Sequence, residues 1–193
     1  IDIQTLKYVN VKMFLYEKNN GYIGGIIKLM EEDCVDISIY KYVIISNVDL
    51  QISSDFFEKL LDKQFADDIG WIAPQIFSSK ENRDRNPKIL NRPTLKRMQG
   101  LKLTYKYPFL HRIYEYTFYR IKNKKIDVSF SNEIYAGHGS FMIFTNSFFR
   151  LVSSFNFPVF LFGEEIYFAE LIRNVGLRVL YTPDLIIYDT DHV

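Results

Sequence analysis

The chain has 193 residues, of which 48% are hydrophobic and 24% are charged, and its formal net charge is +1. This composition excludes an intrinsically disordered protein, and it argues against a nucleic-acid-binding protein, which would be strongly basic. The single cysteine, Cys34, excludes an intrachain disulfide and a cysteine-based zinc site. With no apolar run approaching 18 residues and no recognisable signal peptide, we expect one cytoplasmic domain spanning 1–193.

Strand and helix patterns alternate through the first half of the chain. The apolar and glycine pattern predicts strands at 9–15, 42–46 and 70–74, a glycine-rich turn at 19–25, and helices at 26–32 and 55–63. The second helix is favoured by the spacing of Asp55 and Glu58, which is typical of an N-terminal cap. This alternation predicts an α/β domain with a mostly parallel central sheet flanked by helices.

The last third of the chain also has regular patterns. They predict a strand at 140–144, a short helix at 146–151 and a longer helix at 164–175, after which Gly176 stands where a helix cap belongs. Two further strands, at 177–181 and 185–188, are predicted on either side of a Thr-Pro-Asp turn.

Residues 78–130 differ in character and are interpreted as a variable basic and aromatic insertion. A polar loop is predicted at 78–87, and a helix is predicted from Pro108 to about residue 121. Residues 88–125 contain eleven Lys or Arg and one acid, Glu115, with Tyr, Phe and Leu interleaved. Such a segment can contact a membrane surface peripherally, or it can be a helix with aromatic core contacts and a solvated basic face. A nucleic-acid role is the weakest interpretation at this net charge.

Asn47-Val48-Asp49 directly follows the predicted strand at 42–46. Ligands of open α/β sheets bind beyond the carboxyl ends of strands. A carboxylate at that place can hold Mg²⁺ or Mn²⁺ against a diphosphate. The alternative is an aspartate in an ordinary turn.

Two adjacent carboxylates, Glu164 and Glu165, begin the predicted helix at 164–175, just after an apolar stretch. Burial there would raise a carboxyl pKa toward the range of a general base. The alternative is that both residues stabilise the positive end of the helix dipole.

Two glycine-containing segments could let a ligand approach the backbone: Gly21-x-x-Gly24-Gly25, and Gly137-His138-Gly139-Ser140. The first is neither a P-loop nor a dinucleotide fingerprint, because the lysine and the third spaced glycine are absent. Each could equally be a plain turn that starts a helix or a strand.

Taken in order, these segments resemble the family-2 glycosyltransferases with a GT-A fold, especially the rhamnosyl- and galactosyl-transferase-like members of bacterial polysaccharide pathways. The matching segments lie on both sides of the insertion, at 19–25, 43–50, 71–74, 139–143, 160–165 and 176–183. The first strand of that fold, and the segment that follows it and helps bind the nucleotide, are not recognisable. The resemblance therefore implies an N-terminally incomplete GT-A domain.

The resemblance implies a metal-dependent, inverting transfer of a sugar from a nucleoside-diphosphate sugar to a saccharide or lipid-linked acceptor. Glu165 would be the base, with Glu164 beside it, and Asp49 would bind Mn²⁺ or Mg²⁺. The donor would be bound by Asn47, Asp49, Gly21, Gly24, Gly139 and Ser140. The family often has a histidine where this chain has Asp189, and His192, three residues later, is the alternative metal ligand.

Two other functions stay open from the sequence. Asn47 in place of an acid, together with Ile26 and Asp189 at positions where relatives differ, favours a non-catalytic nucleotide- or sugar-binding module derived from such an enzyme. A metal-dependent nucleotidyl- or phosphoryl-transferase would share the α/β layout. That class would require more clustered acids or a phosphate-binding loop.

Overall fold

A computed structural model describes residues 10–33, 36–107, 109, 112 and 132–190. Its helices are α1 (Tyr22–Asp33), α2 (Phe56–Asp62), α3 (Leu95–Lys106), α4 (Asn146–Leu151) and α5 (Glu164–Asn174). Its strands are β1 (Tyr42–Ser46), β2 (Leu50–Ile52), β3 (Ile69–Ser78), β4 (Arg83–Asp84), β5 (Glu133–Ile134), β6 (Phe141–Thr145) and β7 (Arg178–Asp189). Within these described ranges, no helix is long and apolar enough to cross a membrane.

The seven strands form one mixed sheet, in which β1, β6, β3, β7 and β2 lie in that order. β4 pairs with β3, and β5 pairs with β7. β3 and β7 run parallel, whereas the other described ladders are antiparallel. The α/β class is therefore confirmed, but the described sheet is mostly antiparallel rather than mostly parallel. An apolar run shows that a strand is covered on both faces, and it does not show the direction of its neighbour.

Both faces of the sheet are covered by helices. Successive side chains of a strand point to opposite faces, so each strand contributes to both layers of the core. Trp71, Met142 and Phe144 pack on one face against α1, α4 and α5. Ile72 and Ile143, one residue along each strand, pack on the other face against α2. Two layers of helices thus hold the ends of β1 and β6 in fixed positions.

β7 is one long strand where the sequence predicted two. The pairing of β3 with β7 passes from Pro74–Thr182 directly to Gln75–Ile186, so three residues of β7 bulge out of the ladder. The Thr-Pro-Asp segment coincides with this bulge. Pro183 is exposed there, where its missing N–H costs the sheet nothing.

The N-terminal part differs most from prediction. Residues 10–15 form no strand, and this segment instead lies beside α1, where Lys12 forms an ion pair with Asp33. α1 begins at Tyr22, so Gly24 and Gly25 belong to the helix rather than to a turn. Alternating apolar residues form a strand only where a sheet edge accepts them.

The insertion is described in part. α3 begins after Thr94, whose side chain accepts a hydrogen bond from the Arg97 N–H. The helix predicted from Pro108 falls almost entirely on residues outside those described.

Candidate functional site

The turn at 137–140, which precedes β6, is the meeting point of the candidate residues. β1 pairs with β6 so that Ser46 lies opposite Phe141. This register brings the end of β1 to the start of β6, and the Asn47 N–H donates a hydrogen bond of 2.8 Å to the Ser140 carbonyl. The Asn-x-Asp turn and the Gly-His-Gly-Ser turn are therefore neighbours, as their separate assignments to one donor site require.

Glu164, the first residue of α5, closes this turn from another side. A Cβ built on Gly139 would lie 2.5 Å from the Glu164 Oε1 atom and 2.7 Å from its Cγ atom. A side chain at position 139 would displace the Glu164 carboxyl group from its place against the turn. Burial raises the pKa of Glu164, Glu165 raises it further, and the charge of Lys88 works in the opposite direction.

Tyr22, at the start of α1, adds a third wall. Its hydroxyl donates a hydrogen bond of 3.2 Å to the Gly139 carbonyl. Burial raises the pKa of this phenol and the nearby Glu164 carboxylate raises it further, so Tyr22 is a hydrogen-bond donor at neutral pH. Gly139 thus lies among the N-terminal ends of α1 and α5, the C-terminal end of β1 and the N-terminal end of β6.

Glu165 faces a cation that the sequence did not single out. The Lys88 Nζ atom lies 3.9 Å from the Glu165 Oε1 atom, and the glutamate side chain is 15% exposed. Lys88 is brought there by the pairing of its neighbour Ile89 with Ala136, through two backbone hydrogen bonds of 3.0 Å. A residue of the insertion thereby lies next to the Glu pair.

His138 is a half-buried neutral imidazole beside the turn. The Ser140 N–H donates to its Nδ1 atom at 3.2 Å, and the Ser140 hydroxyl lies 2.9 Å from the same atom. Because Nδ1 is an acceptor in this arrangement, the ring proton is on Nε2. Burial, together with the charges of Lys88 and Arg85, lowers the pKa of His138 to about 4. The imidazole fixes the orientation of Ser140 rather than carrying charge.

Asn86 holds the same turn through a second contact. Its Oδ1 atom accepts the His138 N–H at 2.7 Å, and its Nδ2 group donates to the Pro74 carbonyl at 2.6 Å. This buried amide links the end of the polar loop at 78–87 to β3 and to the 137–140 turn. The predicted loop is thus ordered support for the site, and it contains the short strand β4.

Asp49 lies two residues beyond Asn47, exposed, in the turn before β2. Mg²⁺ is commonly held by one or two carboxylates, with substrate phosphates and water as its other ligands, and an exposed aspartate at a strand end fits that requirement. Within the described ranges no group of three or more His, Cys, Asp or Glu could hold a metal ion. Asp189 is buried and ion-paired with Arg85, and His192 lies outside the described residues.

Gly21 and Gly24 occupy different environments. Gly21 has a φ of +75°, and a Cβ built there would lie 2.0 Å from the Phe160 carbonyl oxygen. Gly24 lies in the first turn of α1, and a Cβ built there would lie 3.8 Å from the Asn20 Cβ atom, an ordinary contact. Gly21 thus lets α1 begin against the loop that precedes α5, which keeps Tyr22 and Glu164 near each other.

Sequence reasoning missed Lys88, Asn86 and Tyr22 as parts of this cluster. Lys88 and Asn86 stand in a segment without apolar periodicity, so only the pairing of Ile89 with Ala136 reveals their place. Tyr22 could have been found, because it follows Gly21 at the start of a helix.

The cluster combines a half-buried carboxyl group with a second carboxylate beside a lysine, and the exposed Asp49 follows two residues after Asn47 in the chain. Such a set can remove a proton from a hydroxyl group and bind a divalent cation with a diphosphate. No protein-family model matches the chain, and a search of curated proteins found no significant similarity.

Proposed function

We propose that this chain is the catalytic domain of a glycosyltransferase with a GT-A type of fold, which moves a sugar from a nucleoside-diphosphate sugar to a hydroxyl group of a saccharide or lipid-linked acceptor. The observation that carries the proposal is the convergence at the 137–140 turn. The Asn47 N–H reaches the Ser140 carbonyl there, and the Glu164 carboxyl group lies against Gly139. A candidate donor-binding turn is thus in contact with the start of the helix that carries both candidate carboxylates, which supports the proposed sugar transfer.

In the proposed reaction, Glu165 takes the proton of the acceptor hydroxyl group while that oxygen attacks the anomeric carbon. The bond between this carbon and the diphosphate oxygen breaks, and the electron pair leaves with the nucleoside diphosphate. A single displacement inverts the configuration at the anomeric carbon. Proton removal by a positioned carboxylate contributes about 10²- to 10⁴-fold to such a rate.

Lys88 is proposed as a positioning residue for Glu165. Its ammonium group lies 3.9 Å from the Glu165 Oε1 atom, where it attracts the carboxylate and limits its orientation. We propose a different role for Glu164, which is to shape the sugar site. Its carboxyl group lies against the backbone of Gly139 and close to Tyr22.

Asp49 is proposed to bind Mg²⁺ or Mn²⁺ together with the diphosphate. When bound, the metal ion supplies charge neutralisation for the departing diphosphate. Asn47 and Ser140 would contact the donor, and His138 and Asn86 hold Ser140 in the orientation that this contact needs.

A binding panel tests the donor part of this proposal. Thermal unfolding is recorded with UDP, GDP, dTDP and CDP, each with and without Mn²⁺ or Mg²⁺. We expect one diphosphate to raise the Tm by several degrees only with metal, and the shift to be lost in Asp49→Ala. The matched control is Asp184→Ala, an exposed aspartate in the bulge of β7, which should retain the shift. No shift with any diphosphate would contradict the proposal.

The non-catalytic module is the alternative that one observation favours. Asp189 is already neutralised by Arg85, so it is not an open metal ligand. Such a module would bind the diphosphate without transferring sugar, and Glu165→Gln would change nothing measurable. Release of diphosphate from the matching nucleotide sugar, slowed by Glu165→Gln, would exclude the module.

A further inference from the structure

Helix α3 is a cationic surface with exposed apolar side chains. Lys96, Arg97, Lys102 and Lys106 lie on it, and the helix contains no acid and no buried residue. In the described part of the chain, none of these four side chains forms an ion pair. Four cations and no acid on 12 residues form a patch of a single charge sign, which attracts an anionic surface.

Apolar side chains stand among these cations. Leu95, Met98, Leu103 and Tyr105 are exposed, and for Leu95 and Tyr105 the exposed fraction exceeds 70%. Leu95, Met98 and Tyr105 are spaced for one side of a helix, at steps of three and seven residues. A surface that mixes Lys and Arg with Leu, Met and Tyr suits the boundary between lipid headgroups and acyl chains.

The loop at 159–162 presents a second apolar surface. Four consecutive apolar residues are exposed there, and Phe162, at 75%, is the most exposed of them. Phe162 also has a φ of +66°, which costs a non-glycine residue about 1 kcal/mol and is not repaid by burial of its ring. Folding alone does not account for a phenylalanine at this position.

Both surfaces are attached to α5. The loop leads directly into Glu164, and the segment before α3 is bound to α5 by a bidentate pair between Arg92 and Glu170, with both distances 2.7 Å. Glu170 is six residues from the start of α5, which is about 9 Å along the helix axis. α5 thus joins the cationic helix, the apolar loop and the Glu pair.

We infer that α3 and the loop at 159–162 form a docking surface for an anionic lipid bilayer. The four cations of α3 would meet the lipid phosphates, and the apolar side chains of α3 and the loop would enter the interface. Nucleic acid fits less well, because the formal net charge of the chain is only +1 and a duplex offers no apolar partner for Phe160, Leu161 and Phe162. The surface is independent of the proposed sugar transfer, and it would bring the Glu pair to lipid-linked acceptors.

Vesicle co-sedimentation tests this inference without any substrate. The protein is mixed with vesicles of phosphatidylcholine alone, or of phosphatidylcholine with 30% phosphatidylglycerol, at about 0.1 M salt, where charges still interact over about 10 Å. We expect about 100-fold or more stronger partitioning to the anionic vesicles, weakened by 0.5 M salt. Equal binding to both vesicles, or no binding to either, would overturn the inference.

Two sets of variants identify the surface. Lys96, Arg97, Lys102 and Lys106 are replaced together by Gln, which keeps the helix propensity, and we expect partitioning to fall by about 100-fold or more. Phe160→Ser with Phe162→Ser should reduce it by about tenfold. The control carries the same loss of charge elsewhere, with Gln at Lys18, Lys80, Arg150 and Arg173, and should retain most of the binding.

Circular dichroism and the Tm show that each variant remains folded. Equal loss of binding in the α3 and control sets would overturn the inference, because binding would then depend on total charge. Tighter binding to an RNA or DNA oligonucleotide than to the anionic vesicles would also overturn it.

Discussion

The polar side chains at the 137–140 turn are bonded to other protein groups, whereas the cations of helix α3 are exposed to solvent. In the turn, His138 and Ser140 bond to each other, Asn86 holds the backbone of His138, and Glu165 faces Lys88. On α3, four cations extend into solvent without ion pairs among the described residues. This difference underlies the two proposals, a small-ligand site at the turn and a docking surface for an anionic bilayer on α3.

The largest expected effect distinguishes Glu165 from Glu164, the two carboxylates at the start of α5. Glu165→Gln should lower the rate of sugar transfer by about 10³-fold, because it removes the proposed base while keeping its shape. The dissociation constant of the nucleoside diphosphate should change less than threefold. Steady-state kinetics and calorimetry measure both quantities.

Glu164→Gln is the matched control for this comparison. It should cost about tenfold or less, because Glu164 is proposed to shape the site and not to take the proton. A larger loss in Glu164→Gln than in Glu165→Gln would reverse the two roles.

A second prediction concerns the packing behind the turn. Gly21→Ala should lower the free energy of unfolding by about 3 kcal/mol, because a Cβ would meet the Phe160 carbonyl and the φ of +75° would be strained. Gly25→Ala, inside α1 and with nothing within 4 Å of the new Cβ, should raise it by up to about 1 kcal/mol. Urea denaturation measures both, and equal effects would refute the contact.

A third prediction uses the half-buried imidazole of His138 in the turn. Because the pKa of His138 is lowered from 6.5 to about 4 on folding, the unfolded chain binds a proton that the folded chain does not, between these two values. The free energy of unfolding should therefore fall by about 3 kcal/mol as the pH drops from 6.5 to 4. Below pH 4 this histidine should cause little further change. In His138→Gln this part of the pH dependence should disappear, and an unchanged dependence would show that another group causes it.

The smallest effect contrasts one lysine from each region. Lys88→Met should lower kcat/KM by about tenfold, and Lys88→Arg should restore most of it, because a cation again lies beside Glu165. Lys96→Met, on α3, should change kcat/KM less than twofold in solution. A similar loss in both variants would indicate that the site responds to overall charge and not to this contact.

The sequence was informative where burial has a simple period. The predicted bounds of β1 and α4 agree with the structure, and α5 ends one residue earlier than predicted, because their apolar spacing matches a strand or a helix. The direction of neighbouring strands could not be predicted from apolar spacing. Trp71 and Phe144 would be buried equally whether their strands ran parallel or antiparallel. Residues 10–15 show the converse, an alternating pattern that forms no strand.

Part of the candidate site was also predictable from the sequence. Asn47, Gly139, Ser140 and Glu164 were selected from their positions next to strand and helix ends, and the structure brings these four together. Lys88 was not, because it reaches Glu165 through a backbone pairing between residues 47 positions apart. Contacts of that kind depend on the whole fold and leave no local pattern.

Hydrogen exchange measured by mass spectrometry tests the central claim most directly. The full chain is compared with and without the nucleoside diphosphate and metal that raise its Tm. If the turn is one donor site, peptides covering 44–52, 137–142 and 160–168 should exchange more slowly with the ligand, while peptides covering 95–106 should not change. Protection confined to 95–106, or absent from 137–142, would contradict the account.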